Sequence, residues 1–299
     1  MRILVLGNSN IFKRKIYFAL KKFKKIEIEI ASRKAVIKKY KIKKSYLSYS
    51  NALKNTDAKI VYISLINSEH YKWAAEALNQ NKHVIIDKPI TTNSNKTKKL
   101  IHLAKKKGLL LSEAIVFQED LRLKKVIKKI NLNKSTQIYC KFHIPKLEKN
   151  NFRNFKKYGG GCLHDMSPYA TYLIYLFFKN KKYTTKITKS LNSFIINVQS
   201  KNISLKGSFS FNNDYKNEIY VHNNSKIYFI NYLFSPPINK SLNLEIFDNI
   251  KQKKHTIKFL KQNVFYSYFK QLFKVISKNK FNFLYEEIKK ITKIKNKIY

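Results

Sequence analysis

Glycine, cysteine, proline and arginine are all scarce in this chain of 299 residues, which holds six glycines, two cysteines, five prolines and five arginines. Cys140 and Cys162 exclude a disulfide framework and a four-cysteine metal site. With no Pro/Gly/Ser-rich stretch, a long flexible linker is excluded too. Long apolar runs are also missing. The run around 170–178 falls far short of the ~20 residues a membrane span needs, and the apolar start of the chain is too short for a signal-peptide core. A soluble, cytoplasmic protein without a membrane partner is expected.

The shortage of arginine bears on the charge. The net charge of +45 invites a nucleic-acid reading. Yet only five of the 62 basic residues are arginine (2, 14, 33, 122 and 153), whereas recognition of bases and phosphates favours the bidentate guanidinium. The lysines are spread along the whole chain and not gathered on one element. Such a surface gives solubility and weak, indiscriminate attraction to polyanions, and no specific nucleic-acid partner is expected. What is abundant is apolar: 44% hydrophobic and 14% aromatic residues describe a globular protein, and the length suggests two domains.

The first ~115 residues alternate buried-strand and helix patterns. Residues 3–6 read as a strand ending at Gly7, followed by a helix carrying Ile11, Phe12, Tyr17, Phe18, Leu20 and Phe23. Strands follow at 26–31, 60–64, 82–86 and 109–111, with helices at 69–79 and 95–107, and Gly108 closes the last of these. Such alternation predicts a Rossmann-type, doubly wound parallel sheet. After Arg122 comes a helix over 123–130. Strands at 136–143, 192–199, 203–211, 217–222, 226–232 and 242–247 then predict an open, mostly antiparallel sheet backed by helices, α+β in kind. Helices at 264–277 and 284–298 close the chain and are expected to pack back on the first domain. The domains are drawn at 1–118 and 119–299.

Three glycines, Gly159 to Gly161, stand together, and His164, Asp165 and Tyr169 follow at the start of an apolar helix running to Phe178. Such a loop delivering an acid and a phenol to a helix start suits an active site; a tight turn before a core helix is the alternative. The spacing of Cys162, His164 and Asp165 fits no common zinc pattern, and no metal is expected. In the first βα turn, Gly7-Asn8-Ser9-Asn10-Ile11-Phe12, only the first glycine of a dinucleotide fingerprint remains. Ser9 is expected to offer backbone and hydroxyl donors to a phosphate, and Phe12 to space the helix from the strand. After the second strand, Ser32-Arg33-Lys34 stands where an NAD site carries an acid for the ribose 2′-hydroxyl. Guanidinium and ammonium there suit a 2′-phosphate, so NADP is preferred to NAD. Three solvated polar residues are the alternative in so lysine-rich a chain.

The stretch 60–89, with Asn67…His70 and Lys82-His83-Val84 through Asp87-Lys88-Pro89, resembles the Gfo/Idh/MocA family of NAD(P)-dependent sugar and cyclitol oxidoreductases. Asn-Phe-Arg at 151–153, Gly-Gly-Gly-x-x-x-Asp-x-x-x-Tyr at 159–169 and the ending from Tyr285-Glu286-Glu287 to Tyr299 extend the resemblance over nearly the whole chain. It implies hydride transfer between NADP (or NAD) and a sugar, sugar nucleotide or polyol. It assigns catalysis to Lys88, Asp165 and Tyr169, with a cis bond before Pro89. Tyr169 stands where many members have His, as in the subgroup resembling glucose–fructose oxidoreductase and xylose or dihydrodiol dehydrogenases. An alcohol losing hydride needs a base, and an ammonium beside a phenol favours its charged form.

By the same resemblance the cofactor is met by Gly7, Asn8, Ser9, Asn10, Ile11, Ser32, Arg33, Lys34, Leu65, Ile66, Asn67, His70, Asp87 and Lys88. The substrate is met by Lys88, Gln118, Arg153, His164, Asp165 and Tyr169. A homodimer or homotetramer through the C-terminal sheet is implied as well. Leu65-Ile66 replaces the family's Thr-Pro, Asp87 its Glu, Ser9 and Phe12 depart from its fingerprint, and a glycine near 222–226 is missing. These departures keep open a non-catalytic, NADP-sensing or scaffold protein on the same fold. A nucleic-acid binder is the third reading.

Overall fold

A computed structural model describes residues 1–33 and 40–299. The chain divides into two compact units. The first comprises Met1–Ala114, Lys157–Gly159 and Phe265–Thr292, and the second Ile115–Lys156, Gly160–Val264 and Lys293–Tyr299.

The first unit is built on the apolar run Ile3-Leu4-Val5-Leu6, which is wholly buried. A strand apolar on both faces belongs inside a parallel sheet covered by helices. That strand, β1 (Arg2–Leu6), lies between β2 (Glu27–Ala31) and β4 (Ile60–Ile63). With β3 (Lys44–Tyr46), β5 (His83–Asp87) and β6 (Leu111–Ala114) they form a six-stranded sheet in the order β3-β2-β1-β4-β5-β6. Every pairing is parallel, and this is the doubly wound dinucleotide-fold order, whose direction reverses between β1 and β4.

After β1 the chain turns through a π-type segment, Phe12–Ile16, into the short α1 (Tyr17–Leu20). Phe12 is fully buried there, its ring against Tyr17 and Tyr40. The further helices of this unit are α2 (Tyr49–Asn55), α3 (His70–Asn79) and α4 (Ser94–Lys107). Asn93 starts α4 by accepting from the N–H groups of Asn95 and Lys96, and Gly108, left-handed at φ 62°, ends it. From the end of the chain come α7 (Val264–Ser277) and the greater part of α8 (Asn282–Asn296). Tyr268 on α7 reaches β6, with its hydroxyl 2.7 Å from Ser112 Oγ and donating to Glu113 O at 3.0 Å.

The second unit is an eight-stranded sheet in the order β14-β13-β12-β11-β7-β10-β9-β8. Its strands are β7 (Thr136–His143), β8 (Thr184–Lys189), β9 (Ser193–Gln199), β10 (Ile203–Ser210), β11 (Lys216–Asn223), β12 (Lys226–Asn231), β13 (Leu242–Asp248) and β14 (Lys253–Phe259). Only the β7–β10 pair is parallel; the rest are antiparallel, as the sequence predicted. In β7, β9 and β11 every second residue is buried, which gives the sheet one covered face. The long α6 (Cys162–Phe178) packs on that face against β9 and β10, and α5 (Leu121–Lys129) packs on β12. α5 is capped by Asp120, which also grips the buried Arg122 guanidinium at 2.7 Å. Two predictions fell short of the structure. The sheet carries two strands beyond the six expected, β8 and β14, and the first sheet gains β3. Among the described residues, no helix is long and apolar enough to cross a membrane.

Candidate functional site

Open α/β sheets bind ligands beyond the carboxyl ends of the strands, where the strand order reverses. In the first unit that place is the β1 turn beside the end of β4. Gly7 has φ +106°, and a Cβ on it would come within 2.2 Å of the Ser64 carbonyl oxygen. The first fingerprint glycine is therefore fixed by a backbone approach to β4. Beyond it Asn8, Ser9 and Ile11 are half-buried and Asn10 is exposed.

Ser9 Oγ accepts from the Phe12 N–H at 3.0 Å and lies 2.6 Å from Ser64 Oγ. Its hydroxyl is engaged within the protein, in contrast to the donor role expected of it. Ser64 in turn donates to Asp87 Oδ2 at 2.6 Å, and the Tyr62 hydroxyl donates to Asp87 Oδ1. Burial pushes the Asp87 carboxyl above its ordinary pKa, against these two hydrogen bonds, while it pushes the Tyr62 phenol well up. Sequence reasoning missed Tyr62 and Ser64. Their signal was two hydroxyl residues at alternate positions of an otherwise apolar strand end, hence on one face.

At the end of β2, Ser32 is buried and Arg33 is exposed with its guanidinium 5.4 Å from the centre of the Tyr49 ring. Tyr49 meets Trp73 edge-on at 5.1 Å. Lys34 lies outside the described residues. After β4, the half-buried Leu65 and Ile66 lead to Asn67, whose Nδ2 donates to Gly159 O at 2.9 Å. Gly159 has φ +74°, and a Cβ there would meet Thr92 at 2.6 Å. His70 is fully buried between two carbonyl oxygens, with Nδ1 2.7 Å from Pro89 O and Nε2 3.1 Å from Leu65 O. Burial lowers its pKa, against the hydrogen bonds to these two carbonyl groups. His70 thus fastens the loop after β4 to the residue following Lys88. Lys88 is half-buried just past β5, and the Lys88–Pro89 bond is cis.

In the second unit the structure brings Arg153 and Asp165 together, Nε to Oδ2 at 3.1 Å. The segment before α6 makes this possible: the Gly161 N–H donates to Arg153 O at 2.7 Å and the Asp165 N–H to Gly161 O at 3.0 Å. One turn on, Tyr169 is half-buried, its ring 4.9 Å from Phe142, 5.3 Å from Phe234 and 5.9 Å from Phe117. Gln118 accepts from the Tyr172 hydroxyl at 2.6 Å. The His164 ring stacks on Tyr299 at 4.8 Å, and burial, with Lys295, Lys189 and Lys156 nearby, lowers its pKa. A cavity of about 340 Å³ opens elsewhere on this unit, on the outward sheet face by Tyr139, Lys186, Gln199 and Lys206. Tyr169 belongs to the opposite, covered face.

Residues 1–115 match the family model GFO_IDH_MocA, described as an oxidoreductase family with an NAD-binding Rossmann fold. The resemblance read from the sequence is borne out on this segment, and the first unit has the Rossmann strand order. The chain is similar to a dTDP-3,4-didehydro-2,6-dideoxy-alpha-D-glucose 3-reductase of Saccharopolyspora spinosa, 32% identical over 126 residues, which are 41% of this chain and 38% of the reductase. It is also similar to a trans-1,2-dihydrobenzene-1,2-diol dehydrogenase of Xenopus laevis, 29% identical over 154 residues, 48% of this chain and 44% of that enzyme. The matched stretch thus spans less than half of either relative. The crystal structure of KijD10, a 3-ketoreductase from Actinomadura kijaniata in complex with NADP and TDP-benzene, superposes with a TM-score of 0.87. It covers 98% of this chain and 94% of KijD10 at 19% identity, and so establishes the two-part fold over the full length.

Proposed function

We propose that this protein is an NADP-dependent oxidoreductase that transfers hydride between the nicotinamide and a carbon of a sugar, sugar nucleotide or polyol. The observation that carries the reading is the pairing of a family-matched dinucleotide domain with Lys88 at the carboxyl end of β5. The residues present fit the cofactor. Gly7 leaves the β1 turn free of a side chain, and no acid follows β2. Arg33, braced on Tyr49, offers a guanidinium suited to a 2′-phosphate. Bound NADPH supplies the hydride. Lys88 holds its ammonium at the oxygen of the reacting carbon and steadies the charge that develops there. Tyr169 gives that oxygen its proton in reduction and takes it back in oxidation. Asp165, aligned by Arg153, orients a neighbouring substrate hydroxyl, with Gln118 and His164 further along the substrate. A nucleotide-linked keto sugar is the preferred substrate, by analogy with the named activity of the Saccharopolyspora relative.

The reading extends to domains at 1–118 and 119–299 and to a homodimer or homotetramer through the outward face of the second sheet. That face carries the exposed Tyr139 and the stacked pair Tyr220 and Phe229. Both cysteines are free and buried, which suits a reducing cytoplasm.

Fluorescence titration with NADPH and NADH, followed by a screen of keto sugars and nucleotide sugars for NADPH oxidation, tests the proposal. NADPH is expected to bind more tightly than NADH. Lys88→Ala is expected to keep NADPH affinity and to lower turnover at least ~10²-fold, the scale of lost acid–base and charge assistance. Full turnover in that variant would remove the mechanism. Tight NADPH binding with no turnover across the screen would return the protein to the sensing class.

A further inference from the structure

A carboxylate is an acceptor only, and a serine hydroxyl carries a single proton. These two facts fix the direction of every hydrogen bond between Asp87 and the β1 turn. Ionised Asp87 accepts one hydrogen bond from the Tyr62 hydroxyl and one from the Ser64 hydroxyl. Ser64 has then spent its proton, so at 2.6 Å its oxygen accepts from the Ser9 hydroxyl. Ser9 has spent its own, and its oxygen accepts from the Phe12 N–H, one of the donors that a helix start leaves without a helical partner. The result is a one-way ladder: Phe12 N–H to Ser9, Ser9 to Ser64, Ser64 to Asp87.

The ladder crosses the three strand ends where a dinucleotide lies in this fold. It starts in the turn after β1, passes the end of β4 and finishes on the last residue of β5, immediately before Lys88. Ser64 is held a second time through its backbone: its N–H donates to Leu6 O at 2.8 Å, and its carbonyl occupies the space that a Cβ on Gly7 would need. Ser9 and Asp87 both depart from the family pattern, and here the two departures are joined by Ser64.

We infer that Ser64 and Asp87 are positioning residues for the dinucleotide, the middle and the end of a hydroxyl ladder that holds the β1 turn in place of the missing fingerprint glycines. This rests on the dinucleotide binding proposed above. Because the Ser9 proton is committed to Ser64, the ladder leaves phosphate recognition in this turn to backbone N–H groups.

The test is a double-mutant cycle on Ser9→Ala and Ser64→Ala, read by NADPH titration, by the KM and kcat of the nucleotide, and by thermal melting. Each single variant is expected to weaken NADPH binding about tenfold and to raise its KM, with kcat within about threefold of the parent. Both changes cut the same bond, so the double variant is expected to bind no more than about threefold weaker than either single. Asp87→Ala should behave like Ser64→Ala. Parent-like binding in both single serine variants, or losses that multiply in the double, would overturn the ladder while leaving dinucleotide binding intact. A parent protein that binds neither NADPH nor NADH would overturn the proposed function itself, and the ladder's role with it.

Discussion

At Gly7 two independent penalties meet on one side chain. The backbone is at φ +106°, and an added Cβ would sit 2.2 Å from the carbonyl oxygen of Ser64, a backbone atom that cannot swing aside. Gly7→Ala is therefore expected to cost about 3 kcal/mol, combining strain of one disfavoured residue with overpacking. Urea unfolding of the variant beside the parent measures it, and equal midpoints would show that β1 and β4 slide apart freely. The residues proposed to carry the chemistry, Lys88, Asp165, Tyr169 and Arg153, were all named from motif spacing. Their partners could not be. Nothing in the order of residues says that Arg153 turns back onto Asp165, that Asn67 is taken up by Gly159, or that Ser64 joins Ser9 to Asp87. Those contacts depend on loop paths that only tertiary structure settles.

Among elements, the strands missing from the sequence reading share one property: β3, β8 and β14 all lie at sheet edges. An edge strand is covered on few sides, so it needs no apolar alternation, and polar edges are favoured because they resist pairing with other chains. Lys-Ser-Tyr, Thr-Thr-Lys-Ile-Thr-Lys and Lys-Lys-His-Thr-Ile-Lys-Phe accordingly look like loops. The central strands β1, β4, β7, β9 and β11 were legible because burial on one or both faces writes itself into the sequence. The helix α7 was legible too, but its anchorage was not. The fully buried Tyr268 hydroxyl bridges Ser112 and Glu113 on β6. Tyr268→Phe removes both hydrogen bonds and leaves the two partners enclosed. A loss of about 1–2 kcal/mol is expected, seen as a fall of a few degrees in melting temperature for a chain of this size. An unchanged midpoint would detach α7 from the support of β6.

For the whole molecule, the response to mild acid follows from its histidines. Burial pushes His70, His83, His143, His164 and His222 below the ordinary imidazole range, five of the seven in the chain. Geometry agrees at His83, whose Nδ1 accepts the Leu110 N–H at 3.0 Å and so must be unprotonated. Between the lowered folded values and the unfolded value of about 6.5, the unfolded chain binds protons that the folded one refuses. Stability therefore rises with pH through this window. The contribution is complete above about pH 6.5 and is lost as pH falls toward the folded values. Asp87, raised by burial, acts in the opposite sense, but it is one group against five. The pairs that lower Glu27 and Glu286 are exposed and titrate at more acid pH. Each proton taken up also adds to a net charge of +45, so self-repulsion acts in the same direction as the histidines. The melting midpoint at fixed ionic strength is expected to fall steadily from about pH 7.5 to about pH 5.5. Added salt should recover the part due to repulsion and leave the histidine part. A midpoint that stayed level or rose on acidification would mean that these imidazoles accept protons inside the fold as readily as in water.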